Sequence, residues 1–299
     1  MKIVIGGASG FVGSALVQHF EARGDEVVTL VRGEVGSEAG DGAVTWKPDA
    51  LELVPKTLAG ADAVIVLNGA PIIGKRWTDA RKKVLIDSRV KPVRTVVEAI
   101  GKLAQQDRPR HLITGSACGI YGSRGDEMLP ESASHGTDFL AKVCEAWEAA
   151  GEHVRQFGVA HTALRTGLVM GESGGMLPML SMLTKFGLGG KLGDGQQWMP
   201  VISVQDYARA VAHIIEHELT GPVNMGGPNP IRNADFTKAL GEHLRRPTLM
   251  TVPSFAMRIV LGEQADMALA SDRMVPLALM NSGFTFEHPD FQAMLESAE

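Results

Sequence analysis

The chain has 299 residues, enough for one large α/β domain or a domain with a lobe. Apolar residues make up 44% and charged residues 21%, and a formal net charge of -5 exerts no global pull on nucleic acid or an anionic membrane. No apolar run reaches the roughly 18 residues of a membrane span, and Cys118 and Cys144 are too few for a disulfide framework or a cysteine zinc site.

Lys2 leads directly into the strand-like Ile3-Val4-Ile5, so no signal peptide is expected and the expected setting is cytoplasmic. Residues 13–23 read as a helix, with Val12, Ala15, Leu16 and Phe20 at helical spacing and Gly24 at its end. Residues 26–32 and 44–46 are the second and third strands. Residues 63–68 form the continuous apolar run of a parallel strand buried on both faces. A long helix is predicted over 78–102, kinked by Pro92. Residues 111–115 form a strand, 138–156 a helix with Asp138 as N-cap, and 161–169 a further strand. Strands alternating with helices imply a parallel sheet with right-handed crossovers.

After Val169 the texture changes. Five glycines in 187–195 suit a loop, with a lid over substrate and a disordered surface segment as equal readings. A helix over 204–217 and a short strand over 223–225 follow. The remainder reads as mostly helical, broken by prolines. The fold class is therefore α/β: a Rossmann-type doubly wound parallel sheet with a smaller, mostly helical C-terminal substrate lobe. Residues 1–170, which also receive about 200–227, form the Rossmann part, and 171–299 form the lobe.

The segment Gly6-Gly7-Ala8-Ser9-Gly10-Phe11-Val12-Gly13 joins the first strand to the first helix. Gly7 permits the tight turn, Gly10 lets a pyrophosphate approach the backbone, and Gly13 lets the helix pack on the sheet. The free N–H groups and positive end of the helix favour a phosphate there, with Ser9, Phe11 and Val12 in the same cradle. Strand two ends in Arg32, where a carboxylate would hold the ribose of NAD and an arginine suits the 2′-phosphate of NADP. The implied cofactor is NADP(H). Leu67, Asn68 and Gly69 end the fourth strand at the carboxyl edge, where ligands of such sheets bind. Thr166 belongs to the same predicted contact set. Of Arg76, Arg81, Arg89 and Arg94 on the long helix and its lead-in, Arg89 is the one expected to meet an anionic group of cofactor or substrate.

These features resemble the extended short-chain dehydrogenase/reductase superfamily. The loop is similar to its TGxxGxxG pattern, with Gly6 in place of threonine. Ser116 stands where that family keeps a catalytic serine or threonine, and Ile120-Tyr121-Gly122 resembles its following element. Segments at 201–206 and 221–226 resemble a cofactor-side helix lead-in and the strand closing the substrate lobe. Gly74-Lys75-Arg76-Trp77, Asp87-Ser88-Arg89, residues 139–144 and Trp147-Glu148 resemble one atypical, nucleotide-sugar-epimerase-like subgroup with a C-terminal segment of unknown function. The resemblance covers nearly the whole chain and implies a small-molecule substrate, no nucleic-acid or membrane partner, and a homodimer as in many relatives.

The superfamily works through Tyr-x-x-x-Lys, in which lysine lowers the tyrosine pKa for proton exchange during hydride transfer. Here the only tyrosines, Tyr121 and Tyr207, are followed four residues on by Gly125 and Val211. Aligning Glu148 with the glutamate that often follows the dyad puts Leu140 and Cys144 in the catalytic places. Ser116 and Tyr121 are the remaining catalytic candidates. Against them stand a strand-end hydroxyl bonded to nearby backbone and a packing tyrosine. No metal site is expected. Two functions follow: an NADP(H)-dependent epimerase-like oxidoreductase, or a non-catalytic NADP(H)-binding sensor or scaffold.

Overall fold

A computed structural model describes residues 1–35, 40 and 42–297; the last two residues of the expected lobe lie outside them. Seven strands form the main sheet, numbered here β1 (Lys2–Gly6), β2 (Glu26–Arg32), β3 (Ala43–Trp46), β4 (Ala63–Val66), β5 (His111–Ala117), β6 (Ala160–Thr166) and β7 (Gly221–Met225). Their order is β7-β6-β5-β4-β1-β2-β3, and every pairing is parallel. The order reverses at β1, which pairs with β2 on one side and β4 on the other. The crevice at that reversal is where doubly wound sheets bind ligands.

The period-2 alternation of the strands divides the core in two. Ile3, Ile5, Ile65, Ile113 and Leu164 face Leu16 and Phe20 of α1 (Phe11–Ala22). Val4, Val64, Val66 and Leu112 point the opposite way, toward Val93, Val96 and Ile100 of α2 (Asp79–Gly101) and Trp147 of α3 (Phe139–Glu152). Burying each such side chain contributes about 1.5–3 kcal/mol, which explains why strands covered on both faces are apolar throughout.

Caps fix the helix starts. Thr78 Oγ1 accepts from Arg81 N at 3.2 Å, and Asp138 Oδ1 accepts from Ala141 N at 2.9 Å. Pro92 is buried within α2, which continues through it as one element of 23 residues. The third helix stops at Glu152 and tightens into a 3-10 turn over His153–Phe157.

Beyond β6 lie α4 (Leu177–Lys185), α5 (Val204–Glu216), α6 (Asn233–His243), α7 (Ser254–Leu261) and α8 (Gln264–Leu269). α5 packs beside α1 on the sheet. The 187–195 segment corrects the loop reading in part: Gly190–Leu192 pairs in parallel with Met250–Val252. The C-terminal region also meets a strand from the first half, since Met128–Leu129 pairs in parallel with Arg273–Met274. Among the described residues, no helix is long and apolar enough to cross a membrane.

Candidate functional site

The glycine loop lies at the carboxyl edge of β1, and its glycines are spaced by contact. Gly7 has φ +90, and a Cβ there would lie 3.0 Å from the Leu67 carbonyl carbon. A Cβ on Gly13 would stand 2.2 Å from the Gly7 carbonyl oxygen. Gly10 differs. It is exposed, has φ -79 and ψ 163, and its Cβ would have only the Gly7 oxygen nearby, at 3.4 Å. Space beside it is open toward solvent, as close approach of a phosphate requires. Ser9 is likewise exposed. Val12 packs beneath, and the Phe11 ring turns away onto Gly174 and Gly175, leaving the Phe11 backbone for the cradle.

Arg32 ends β2 opposite Trp46 and is exposed. Leu67 and Asn68 pass under Gly7, and the Asn68 Oδ1 is buried without a hydrogen-bond partner among the described residues. A buried acceptor left unsatisfied costs about 1–3 kcal/mol, so a donor from a bound molecule fits this place. Gly69 carries no Cβ because Arg89 occupies the space: a Cβ would lie 3.2 Å from the guanidinium carbon.

Arg89 is buried with 7% exposure. It donates to the Leu85 and Ala70 carbonyls at 3.0 and 3.2 Å and lies over the Trp147 ring. Burial lowers its pKa, and Arg81 lowers it further. No carboxylate pairs with it among the described residues. An enclosed cation with no counter-charge makes the carboxyl edge receptive to an anion.

Ser116 and Tyr121 are drawn into a different assembly. Ser116 Oγ donates to Glu148 Oε1 at 2.6 Å. Arg165 clamps Glu148 with two hydrogen bonds, of 2.9 and 3.0 Å. It also donates to the Tyr121 hydroxyl at 3.0 Å, and that hydroxyl donates to Asn224 Oδ1 at 2.6 Å. Burial opposes the charge on Arg165, but its bonds to Glu148 outweigh that and raise its pKa. Tyr121 is fully buried, and burial pushes its pKa up to about 12. Its hydroxyl is enclosed between Arg165 and Asn224. The geometry therefore favours the packing reading of Tyr121. Thr166 shares a 3.0 Å hydrogen bond with the Tyr207 hydroxyl, so its side chain braces β6 against α5.

The places of the missing dyad are filled by Leu140, against Gly119, and by buried Cys144. Burial and the nearby Glu148 raise the Cys144 pKa to about 12, which makes it a neutral thiol. The sequence reading missed Asp272, a C-terminal residue with 8% exposure whose Oδ1 has no partner among the described residues. Burial raises its pKa to about 7, while a hydrogen bond with Cys118 works the other way. No local pattern flags it, because Cys118 lies far away in sequence. An acid raised from 3.8 to about 7 holds its proton better folded than unfolded. The stability this lends is complete below the unfolded value and is lost as pH rises through the folded one. Asp272→Asn should remove that loss, so the variant gains on the wild type as pH rises. The gain is at most ~4 kcal/mol, at about 1.4 kcal/mol per pKa unit. Urea midpoints across the range check this, and parallel pH curves for the two proteins would refute it.

Residues 3–226 match the NAD dependent epimerase/dehydratase family, and residues 252–298 match a domain of unknown function, DUF1731. The epimerase family protein Mb2239 of Mycobacterium bovis is 39% identical over 288 residues, spanning 96% of this chain and 93% of that protein. The epimerase family protein YfhF of Bacillus subtilis is 32% identical, spanning 99% of this chain and 97% of its own. The crystal structure of human epimerase family protein SDR39U1 (isoform 2) with NADPH superposes with a TM-score of 0.88 at 27% identity. That match covers 100% of this chain and 99% of the human one.

Proposed function

The chain belongs to the NAD dependent epimerase/dehydratase family, and from that premise we propose that it is an NADP(H)-binding, epimerase-like oxidoreductase acting on a small, nucleotide-linked substrate. The observation that carries this reading is the glycine cradle: Gly7 and Gly13 are packed too closely to bear a side chain, and Gly10 is left open. The solved human relative, crystallised with NADPH, supports the same cofactor. Gly7, Ser9, Gly10, Phe11, Val12 and Gly13 hold the pyrophosphate, chiefly through backbone. Arg32 takes the 2′-phosphate. Leu67, Asn68 and Gly69 border the bound molecule, and Arg89 supplies the enclosed positive charge. Thr166 lies at the far side of the edge, its hydroxyl committed to Tyr207.

When bound, the nicotinamide supplies hydride chemistry. The chain's own part is orientation and charge. Ser116 is held by Glu148, whose charge Arg165 neutralises. These bonds hold the end of β5 in place. A specific observation favours a second reading, a non-catalytic NADP(H) sensor or scaffold. Leu140 has no exchangeable proton, and Cys144 and Tyr121 both hold theirs to about 12. Fluorescence titration with NADPH followed by a turnover screen on sugar nucleotides and small carbonyl compounds separates the two. Binding with turnover supports the enzyme, binding without turnover supports the sensor, and no binding overturns both.

The cofactor choice has its own test. Arg32→Asp should weaken NADPH binding at least tenfold, about 1.4 kcal/mol, and leave NADH nearly unchanged. Equal losses for both cofactors would remove Arg32 from the 2′-phosphate site.

A further inference from the structure

The net charge of -5 conceals a segregation. Residues 176–191 and 244–262 contain Lys185, Lys191, Arg245, Arg246 and Arg258 and no acidic residue, so the rest of the chain is the more acidic. These two segments adjoin in the folded lobe. Gly190–Leu192 pairs with Met250–Val252, and Arg246 Nε donates to the Lys185 carbonyl at 3.3 Å. The same segments hold a concentration of exposed apolar side chains: Phe186, Leu188, Leu249, Phe255, Ile259 and Val260 are between 55% and 91% exposed. On α7 the division is clear, since Met257 is buried while Phe255, Ile259 and Val260 are outside. Arg258 pairs with Asp266, and the other four cations have no carboxylate partner among the described residues.

We propose that this face of the lobe, formed by the end of α4, the 190–192/250–252 strand pair and α7, docks peripherally on an anionic phospholipid surface. Apolar side chains interspersed with unpaired lysine and arginine are the chemistry of an interfacial contact: the rings and branched chains enter the headgroup boundary while the cations meet lipid phosphates. A second copy of the chain is a poorer occupant. Two-fold pairing sets the same patch against itself and brings like charges together. The proposal is independent of the cofactor reading. It needs no membrane span, and it revises the sequence expectation of no membrane partner for this one face.

Vesicle flotation tests it, using phosphatidylcholine alone and phosphatidylcholine mixed equally with phosphatidylglycerol. The protein should float with the anionic vesicles only, and less so at high salt. The paired changes Phe255→Asp and Ile259→Asp, and separately Arg245→Glu and Arg246→Glu, should each lower the floated fraction at least about tenfold. Unchanged thermal transitions would show that both variants are folded. Failure to float with anionic vesicles overturns the proposal, as does equal flotation of folded variants and wild type. So does a dimer seen by light scattering that Phe255→Asp dissociates, since the face would then be a protein interface.

Discussion

Gly10→Val should reduce NADPH affinity by at least 100-fold, about 2.8 kcal/mol, with little loss of stability. The backbone at Gly10 is extended, so any residue can adopt it, and a Cβ there meets only one neighbouring oxygen, at 3.4 Å. The cost to the fold is limited to a poorer helix N-cap, about 1 kcal/mol. The cost to binding is large, because the branched side chain fills the space a pyrophosphate needs. Gly13→Ala is the contrasting case. Its Cβ would stand 2.2 Å from the Gly7 oxygen and 2.9 Å from the Ala8 Cα, both backbone atoms. The loop must move, and overpacking of this kind costs about 1–3 kcal/mol of stability in addition to cofactor binding. Fluorescence titration and urea unfolding on the same two variants separate the effects. Wild-type NADPH affinity in Gly10→Val would place the cofactor elsewhere.

Arg165→Met should cost about 3–5 kcal/mol of stability, the usual result of removing one partner from a buried ion pair. Arg165 is 3% exposed. Its loss strands the Glu148 carboxylate and removes a donor from Tyr121 and from the Glu131 carbonyl. Removing both charges, with Glu148→Met in the same chain, should recover most of that loss, because a buried pair replaced by apolar groups is often neutral. Urea melts of the two single variants and the double variant form the cycle that tests this. A loss below about 1 kcal/mol for Arg165→Met would mean that solvent reaches the pair and screens it. The same network bears on Tyr121. Its hydroxyl bridges Arg165 on β6 and Asn224 on β7, and Asn224 Nδ2 donates to the Leu129 and Val275 carbonyls. One buried chain of hydrogen bonds thus joins the sheet to the lobe.

The glycine loop was legible because its requirements are local. A turn with φ +90 and a helix start against the preceding loop need particular residues within a few positions of one another. The strands were legible for a similar reason. The second was expected at 26–32, where it lies, and the buried apolar run at β4 announces itself by composition. Ser116 and Tyr121 were catalytic candidates on the sequence, but their environments were not visible from it. Ser116 faces Glu148 from 32 residues away, and Tyr121 meets Asn224 from 103 residues away. The Cys118 and Asp272 contact is longer still.

Sequence by itself determined the parallel sheet, the glycine loop between its first strand and first helix and the absence of a Tyr-x-x-x-Lys dyad, since periodicity, glycine spacing and residue identity need no partner. Only the tertiary structure decided that the Tyr121 hydroxyl lies in the core, that Arg89 is buried without a counter-charge among the described residues, and that apolar and basic side chains share one face of the C-terminal region. The physical reason is that a side chain's pKa, its hydrogen bonds and its exposure are set by the groups packed around it. In this fold those groups arrive from elements distant in the chain.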